Sequence, residues 1–248
     1  MKALLIRTDS ELRMKALLVF MSIITVPLCC SAQSSSKSEA EVWPAISATF
    51  EVTSRSRVKV SYDRHKGEDS FYNQNKVGAI FSFRMKRIVS FIDHVDQENE
   101  YHLVLGSGYE FLRTDQGNGV KSEHRLLFQL TPKYVLGPKL LAQDRSQLEF
   151  RWIGGQYNFR YRNKLMVSRQ FKIDRVRFAP YVSGELFWDR NRHAWTENQY
   201  SFGAQIPYRK LLALDVYYMH QNCTTCSLDP LNIFGLSLAL YPNWPKRN

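Results

Sequence analysis

Gln147-Leu148-Glu149-Phe150-Arg151-Trp152-Ile153-Gly154-Gly155-Gln156-Tyr157-Asn158-Phe159-Arg160-Tyr161-Arg162 is the stretch that decides the fold. Leu148, Phe150 and Trp152 alternate with Gln147, Glu149 and Arg151. In the next segment Tyr157, Phe159 and Tyr161 alternate with Asn158, Arg160 and Arg162. Period two is the spacing of a β-strand, whose successive side chains point to opposite faces of the sheet. Each strand is therefore apolar on one face and carries arginine on the other. The charged face needs water or counter-charges, and the apolar face needs a protein core or lipid.

The same alternation runs outward in both directions. Ile46, Ala48 and Phe50 oppose Ser47, Thr49 and Glu51, and Val58, Val60 and Tyr62 oppose Arg57, Lys59 and Ser61. Val77, Ala79, Phe81, Phe83 and Met85 share a face, with Ile80 breaking the pattern. Later, Val176, Phe178, Val182 and Leu186 oppose Arg175, Arg177, Ser183 and Glu185, and Phe234, Leu236, Leu238 and Leu240 close the series. Pro132 and Gly137-Pro138 read as a turn. No segment holds a helical period. Strands of about ten residues match the roughly 9–11 that a tilted strand needs to cross a bilayer. The expected fold is all-β, a single antiparallel up-and-down transmembrane β-barrel of about 10–12 strands.

Residue types separate a barrel in lipid from a lipocalin-like barrel in water, which alternates equally well. The apolar face is rich in Tyr, Phe, Trp and Leu, with Tyr101, Phe111, Trp152, Trp188 and Tyr208 at strand ends, where membrane barrels carry aromatic girdles. These five are expected to face the membrane. The opposite face carries both signs at close spacing, and Arg145, Glu149, Arg151, Arg160, Arg162, Arg175, Arg177 and Glu185 are expected to line the lumen as a ladder of ion pairs.

The N-terminal segment predicts export. Lys15 precedes an apolar run, residues 16–28, followed by Cys30-Ser31-Ala32 with small residues where a signal peptidase cuts. Residues 1–32 read as a signal peptide, with Met14 a possible true start because Lys2-Ala3-Leu4-Leu5 recurs as Lys15-Ala16-Leu17-Leu18. Residues 33–42 form a short polar lead, 43–241 the barrel and 242–248 a tail. Cleavage removes four of the 34 Lys/Arg and two of the 23 Asp/Glu, so the formal charge falls from +11 to +9. Export, and the spreading of this charge along strands in place of one patch, argue against a nucleic-acid partner. The expected location is the bacterial outer membrane, with its lipid and the barrel-assembly machinery as partners. Cys223 and Cys226, spaced Cys-Thr-Thr-Cys, read as a local disulfide in an oxidising compartment.

Catalytic constellations are not found. His102 and Glu110 share a parity that Ser107 does not, so they make no nucleophile-base-acid group. His124 and His220 fall on the apolar face, His94 and His193 in loops. No metal-ligand spacing, phosphate-binding glycine motif or cofactor site appears. The expected function is an outer-membrane component, structural, binding or narrow-pore, without evident catalysis. The alternatives are a barrel enzyme acting on lipid or a surface polymer, and a soluble periplasmic lipocalin-like binding protein.

The pattern resembles the DUF2490 group of bacterial outer-membrane β-barrel proteins, whose role is uncharacterised. Trp43, the run Asp144-Arg145-Ser146-Gln147-Leu148-Glu149-Phe150-Arg151, Asn158-Phe159-Arg160-Tyr161-Arg162, Pro180-Tyr181 before Glu185-Leu186-Phe187, and Gly203 carry the resemblance. It implies an outer-membrane location and no activity. One departure is the end of the chain, where Leu238-Ala239-Leu240-Tyr241 is followed by residues 242–248 in place of a terminal aromatic.

Overall fold

In the computed structural model, residues 39–67, 72–87, 101–116, 119–137, 139–173, 176–208, 211–224 and 230–242 are described. The expected signal peptide, residues 1–32, most of the polar lead and the tail beyond 242 lie outside them. The strands are β1 (Glu39–Glu51), β2 (Ser56–Gly67), β3 (Tyr72–Arg87), β4 (Tyr101–Gln116), β5 (Val120–Gly137), β6 (Leu140–Ile153), β7 (Gln156–Arg169), β8 (Phe171–Ile173), β9 (Val176–Asp189), β10 (Ala194–Tyr208), β11 (Leu212–Cys223) and β12 (Leu231–Leu240). Each is hydrogen-bonded to the next around a closed sheet, except that β9 follows β7 directly and β8 pairs with β9 alone. The barrel thus has 11 strands. β8 is β7 resumed after Gln170: Ser168 faces Tyr181 and Phe171 faces Phe178 in one unbroken register. Together β8 and the start of β9 form a hairpin that extends past the neighbouring strands.

An odd strand count forces one departure from a purely antiparallel sheet. β1 and β12 pair in parallel, from Glu39↔Leu231 to Ala48↔Leu240. The barrel closes there as a mixed sheet. Its first strand therefore begins at one rim, called here the Glu39 rim, and its last strand ends at the opposite one, the Leu240 rim. β1 also starts ahead of Trp43. Residues 39–42, read from sequence as polar lead, are strand, because Glu41 and Val42 find partners on both sides, in Ile233 and Phe234 of β12 and in Gly67 and Lys66 of β2.

Pro132 sits within β5 and not in a turn. The β5–β6 partners run to Leu130↔Ser146 and resume at Lys133↔Gln143, so the N–H that proline lacks falls in a gap of the ladder. The β6–β7 hairpin turns on Gly154 and Gly155, with φ of 55° and 85°. Two consecutive positive φ values are what a two-residue hairpin turn requires and what glycine adopts without strain.

The polarity of the sheet is inverted relative to a water-soluble barrel. Among the largest fully buried side chains are Arg57, Lys133 and Glu149, alongside Leu112, Leu127 and Ile233. Meanwhile Phe128, Leu130, Leu148, Val182, Phe202, Phe234 and Leu236 stand exposed on the outside. Outer rings meet edge to face across neighbouring strands, Phe128 with Phe150 at 6.0 Å, Phe150 with Phe159 at 5.4 Å and Phe159 with Trp188 at 6.4 Å between centroids. Such cross-strand pairs add to sheet stability and pin the register.

Inside, large side chains lie against glycines. Ile80, the break in the sequence pattern, faces the lumen opposite Gly108, where a Cβ would come within 2.7 Å of its Cγ1. The Tyr217 ring lies over Gly235, and a Cβ there would sit 1.9 Å from Cζ. Gly235→Ala must therefore displace the ring. We expect a loss of about 1–3 kcal/mol, the usual cost of overpacking, in urea titrations of the folded barrel. The loss should shrink in a Tyr217→Ala background, and an equal loss there would disprove the contact as its cause.

Candidate functional site in the lumen

The β6–β7 hairpin and β9 bring the strongest charges together. Glu149, 0% exposed, accepts hydrogen bonds from Arg160 Nε at 2.7 Å, Arg162 Nη1 at 2.9 Å and Gln147 Nε2 at 2.7 Å. Arg162 Nε also donates to Glu185 at 2.8 Å, and Arg145 Nη2 reaches the same carboxylate at 2.9 Å. The guanidinium carbons of Arg160 and Arg162 lie 5.2 and 4.6 Å from the Phe187 ring centroid. The period of two on β6, β7 and β9 puts all these groups on one face, and sheet register brings them level: Glu149 is the partner of Arg160, and Arg162 of Phe187.

A second chain of charges adjoins the first. Glu123 accepts from Arg125 Nε at 2.5 Å and from Arg151 Nε at 2.5 Å. Arg125 lies 3.8 Å from Glu110, which is 4.0 Å from Lys76, itself 3.4 Å from Asp63. Ion pairs thus run from β2 to β9 through the lumen. Buried charges are tolerated only when paired and hydrogen-bonded, and here each carboxylate at the centre is shared by two arginines.

This network separates two recesses. On its Leu240 side is a chamber of ≈ 260 Å³, whose lining includes Lys59, Lys133, Arg145, Lys164, Tyr181 and Asp215. On its Glu39 side is a recess of ≈ 300 Å³ whose lining includes Arg151, Asn158, Asp189, Arg192, Glu197 and Cys223. Along β6 the order from the Glu39 rim is Arg151, Glu149, Arg145, which sets the network between them.

Among residues singled out from sequence, Arg145, Glu149, Arg151, Arg160, Arg162 and Glu185 meet in or beside the network. Arg177 stands in the β8–β9 hairpin opposite Lys172, and Arg175 lies outside the described residues. Cys223 is disulfide-bonded; Cys226 lies outside the described residues. Of the aromatics, Trp152 packs on Tyr157 with centroids 5.7 Å apart, Trp188 on Phe159, and Phe111 on His124 at 5.1 Å, while Tyr208 is exposed. Tyr101 is turned over the Leu240 rim. Its hydroxyl donates to the Ser54 carbonyl at 3.0 Å and its ring covers Arg84, which is paired with Glu51. A strand-end aromatic beside a buried arginine has a cation–π partner that a girdle position does not offer.

Lys133 and Lys164 were not singled out. Continuing the parity of Arg160 and Arg162 reaches Lys164, and that of Arg125 and Gln129 reaches Lys133 across Pro132. His65, in β2, is stacked on Trp43 with ring centroids 3.8 Å apart. His124 Nδ1 lies 2.5 Å from the Tyr109 hydroxyl, and His220 contacts Asn232 and Asn222. No group of three metal-ligating side chains occurs among the described residues.

Residues 40–229, from β1 to the end of β11 and beyond, match the model of a family described as a protein of unknown function, DUF2490. The chain belongs to the DUF2490 family. In this DUF2490 barrel the matched region contains every member of the charge network and leaves only β12 of the barrel strands outside. No curated protein matches the chain.

Proposed function

We propose that this DUF2490 chain is an outer-membrane barrel that serves as a structural or binding component, its lumen filled by ion-paired side chains. The observation that carries the reading is the inverted sheet, with Glu149 and Arg57 fully buried inside and Phe234 and Val182 58% and 61% exposed outside. A continuous apolar exterior is unfavourable in water and invites association, whereas hydrocarbon favours it. Lipid also requires every backbone group to be paired within the protein, a condition that a closed barrel meets. The expected signal peptide and the bonded Cys223 agree with an exported protein in an oxidising compartment. Outer-membrane lipid and the assembly machinery are then the partners. In a bilayer the odd strand count would put the start of β1 and the end of β12 on opposite sides.

Boiled and unboiled samples of the outer-membrane fraction should migrate differently on a gel, because a closed membrane barrel resists detergent until heated. In planar bilayers the folded protein should conduct far less than an open porin, since the Glu149 and Glu123 networks occupy the passage. A protein found in the soluble periplasm with no mobility shift would overturn the reading in favour of a soluble binding protein.

A further inference from the structure

We propose that the chamber on the Leu240 side of the network binds a small phosphate-like oxyanion. This deepens the binding reading above, and it requires the folded barrel but not the bilayer. The chamber draws Lys59 from β2, Lys133 from β5, Arg145 from β6 and Lys164 from β7, and Asp215 is the one carboxylate in its lining. Asp215 is itself engaged by the Tyr181 hydroxyl, at 3.1 and 3.3 Å to its two oxygens. Glu185, next along the wall, is divided between Arg145 and Arg162. The recess on the other side of the network is different, since Asp189 and Glu197 there match Arg151 and Arg192. Cationic side chains therefore outnumber carboxylates in the lining of this chamber, and not in that of the other recess.

One detail points to a ligand. Arg145 and Lys164 are direct cross-strand partners, and the carboxylate beside both of them, Glu185, is shared with Arg162 as well. Arg145 Nε is buried without a hydrogen-bond partner, so this guanidinium still has a donor to give. Ser82, Gln129, Thr131 and Gln143 supply neutral donors in the same wall. A tetrahedral oxyanion would accept from the lysines as point charges and from the arginine in a fixed geometry. The volume of ≈ 260 Å³ admits a phosphoryl group with a small organic substituent, so the anion could be free phosphate or a phosphate ester.

Calorimetric titration of the detergent-solubilised full chain tests this, using inorganic phosphate, glycerol 3-phosphate and sodium chloride at matched ionic strength. Saturable binding of inorganic phosphate or of the ester, and none of chloride, is expected; the tighter of the two identifies the source. Lys164→Gln, and separately Lys59→Gln, should each weaken binding about tenfold, the scale of one charge-assisted hydrogen bond, with the heat-dependent gel shift confirming that the variants are folded. A folded wild-type barrel that binds neither phosphate, or binding that both folded lysine variants leave unchanged, would overturn the proposal. A missing gel shift with phosphate binding intact would count against the bilayer reading and leave the chamber standing.

Discussion

Glu149→Ala is expected to cost the barrel about 3–5 kcal/mol, because it leaves the buried guanidinium of Arg160 and the half-buried one of Arg162 facing an empty site. Arg160 and Arg162 both donate to this carboxylate, which has no exposure of its own. Glu185 can still hold Arg162, so the larger share of the penalty falls on Arg160, whose other close neighbour is the face of Phe187. Urea titration of the heat-shifted folded band would measure it. The informative control replaces the whole triad by apolar residues of similar size, Glu149→Leu with Arg160→Met and Arg162→Leu. Removing a buried ion cluster is often neutral or stabilising, since its desolvation cost disappears with it, and Glu185 keeps Arg145 when Arg162 is replaced. The single substitution should therefore be much worse than the triple. A loss for Glu149→Ala below about 1 kcal/mol would mean that the lumen is wet enough to screen the arginines, as at a protein surface.

This contrast bears on why the barrel keeps so many charges inside. A lumen lined by apolar side chains could pack as well, but an inner face that resembled the outer one would remove the difference that fixes strand register. A slip of one residue exchanges the faces of a strand. With arginine and glutamate inside and phenylalanine outside, each slip would carry charge to the exterior and leave carboxylates unpaired within. The ion pairs then act as register marks, whatever their net contribution to stability.

The faces of the strands were legible in the sequence because the two sides differ in chemical class. Gln147 to Trp152 and Tyr157 to Arg162 can be assigned in or out residue by residue. What meets what was not legible. Parity says that Glu149 and Arg160 point inward, but their level depends on the hairpin turn at Gly154-Gly155, and the meeting of Arg145 with Glu185 crosses from β6 to β9. The number of strands was bounded only roughly, and whether it is odd or even decides whether β1 meets β12 parallel or antiparallel. That choice rests on a pairing between the two ends of the chain, for which local pattern carries no signal. Pro132 misled for a definite reason: a proline normally interrupts a strand, and here a gap in the β5–β6 ladder lets the strand continue to Lys133. The chamber went unseen because Lys59, Lys133, Arg145 and Lys164 lie on four strands and converge only when the sheet closes.

The largest effect on the outer face should come from Leu236→Arg. Leu236 lies near the middle of β12, 50% exposed, opposite Val216 of β11 and Pro44 of β1. In water an arginine at such an exposed site changes stability by no more than about 0.5 kcal/mol. At the midplane of a bilayer the same substitution costs about 2–4 kcal/mol, falling to about 0–1 near the interfaces. Leu240→Arg, at the rim, is the matched comparison because it keeps the strand and the side chain type and changes only the depth. Folding into vesicles from urea should thus be strongly impaired for Leu236→Arg and nearly normal for Leu240→Arg. The difference cannot come from strand propensity or from the lumen, since both positions share the outer face of one strand. Equal and small effects at the two sites would remove lipid from around the barrel, and the apolar exterior would then require a protein partner to cover it.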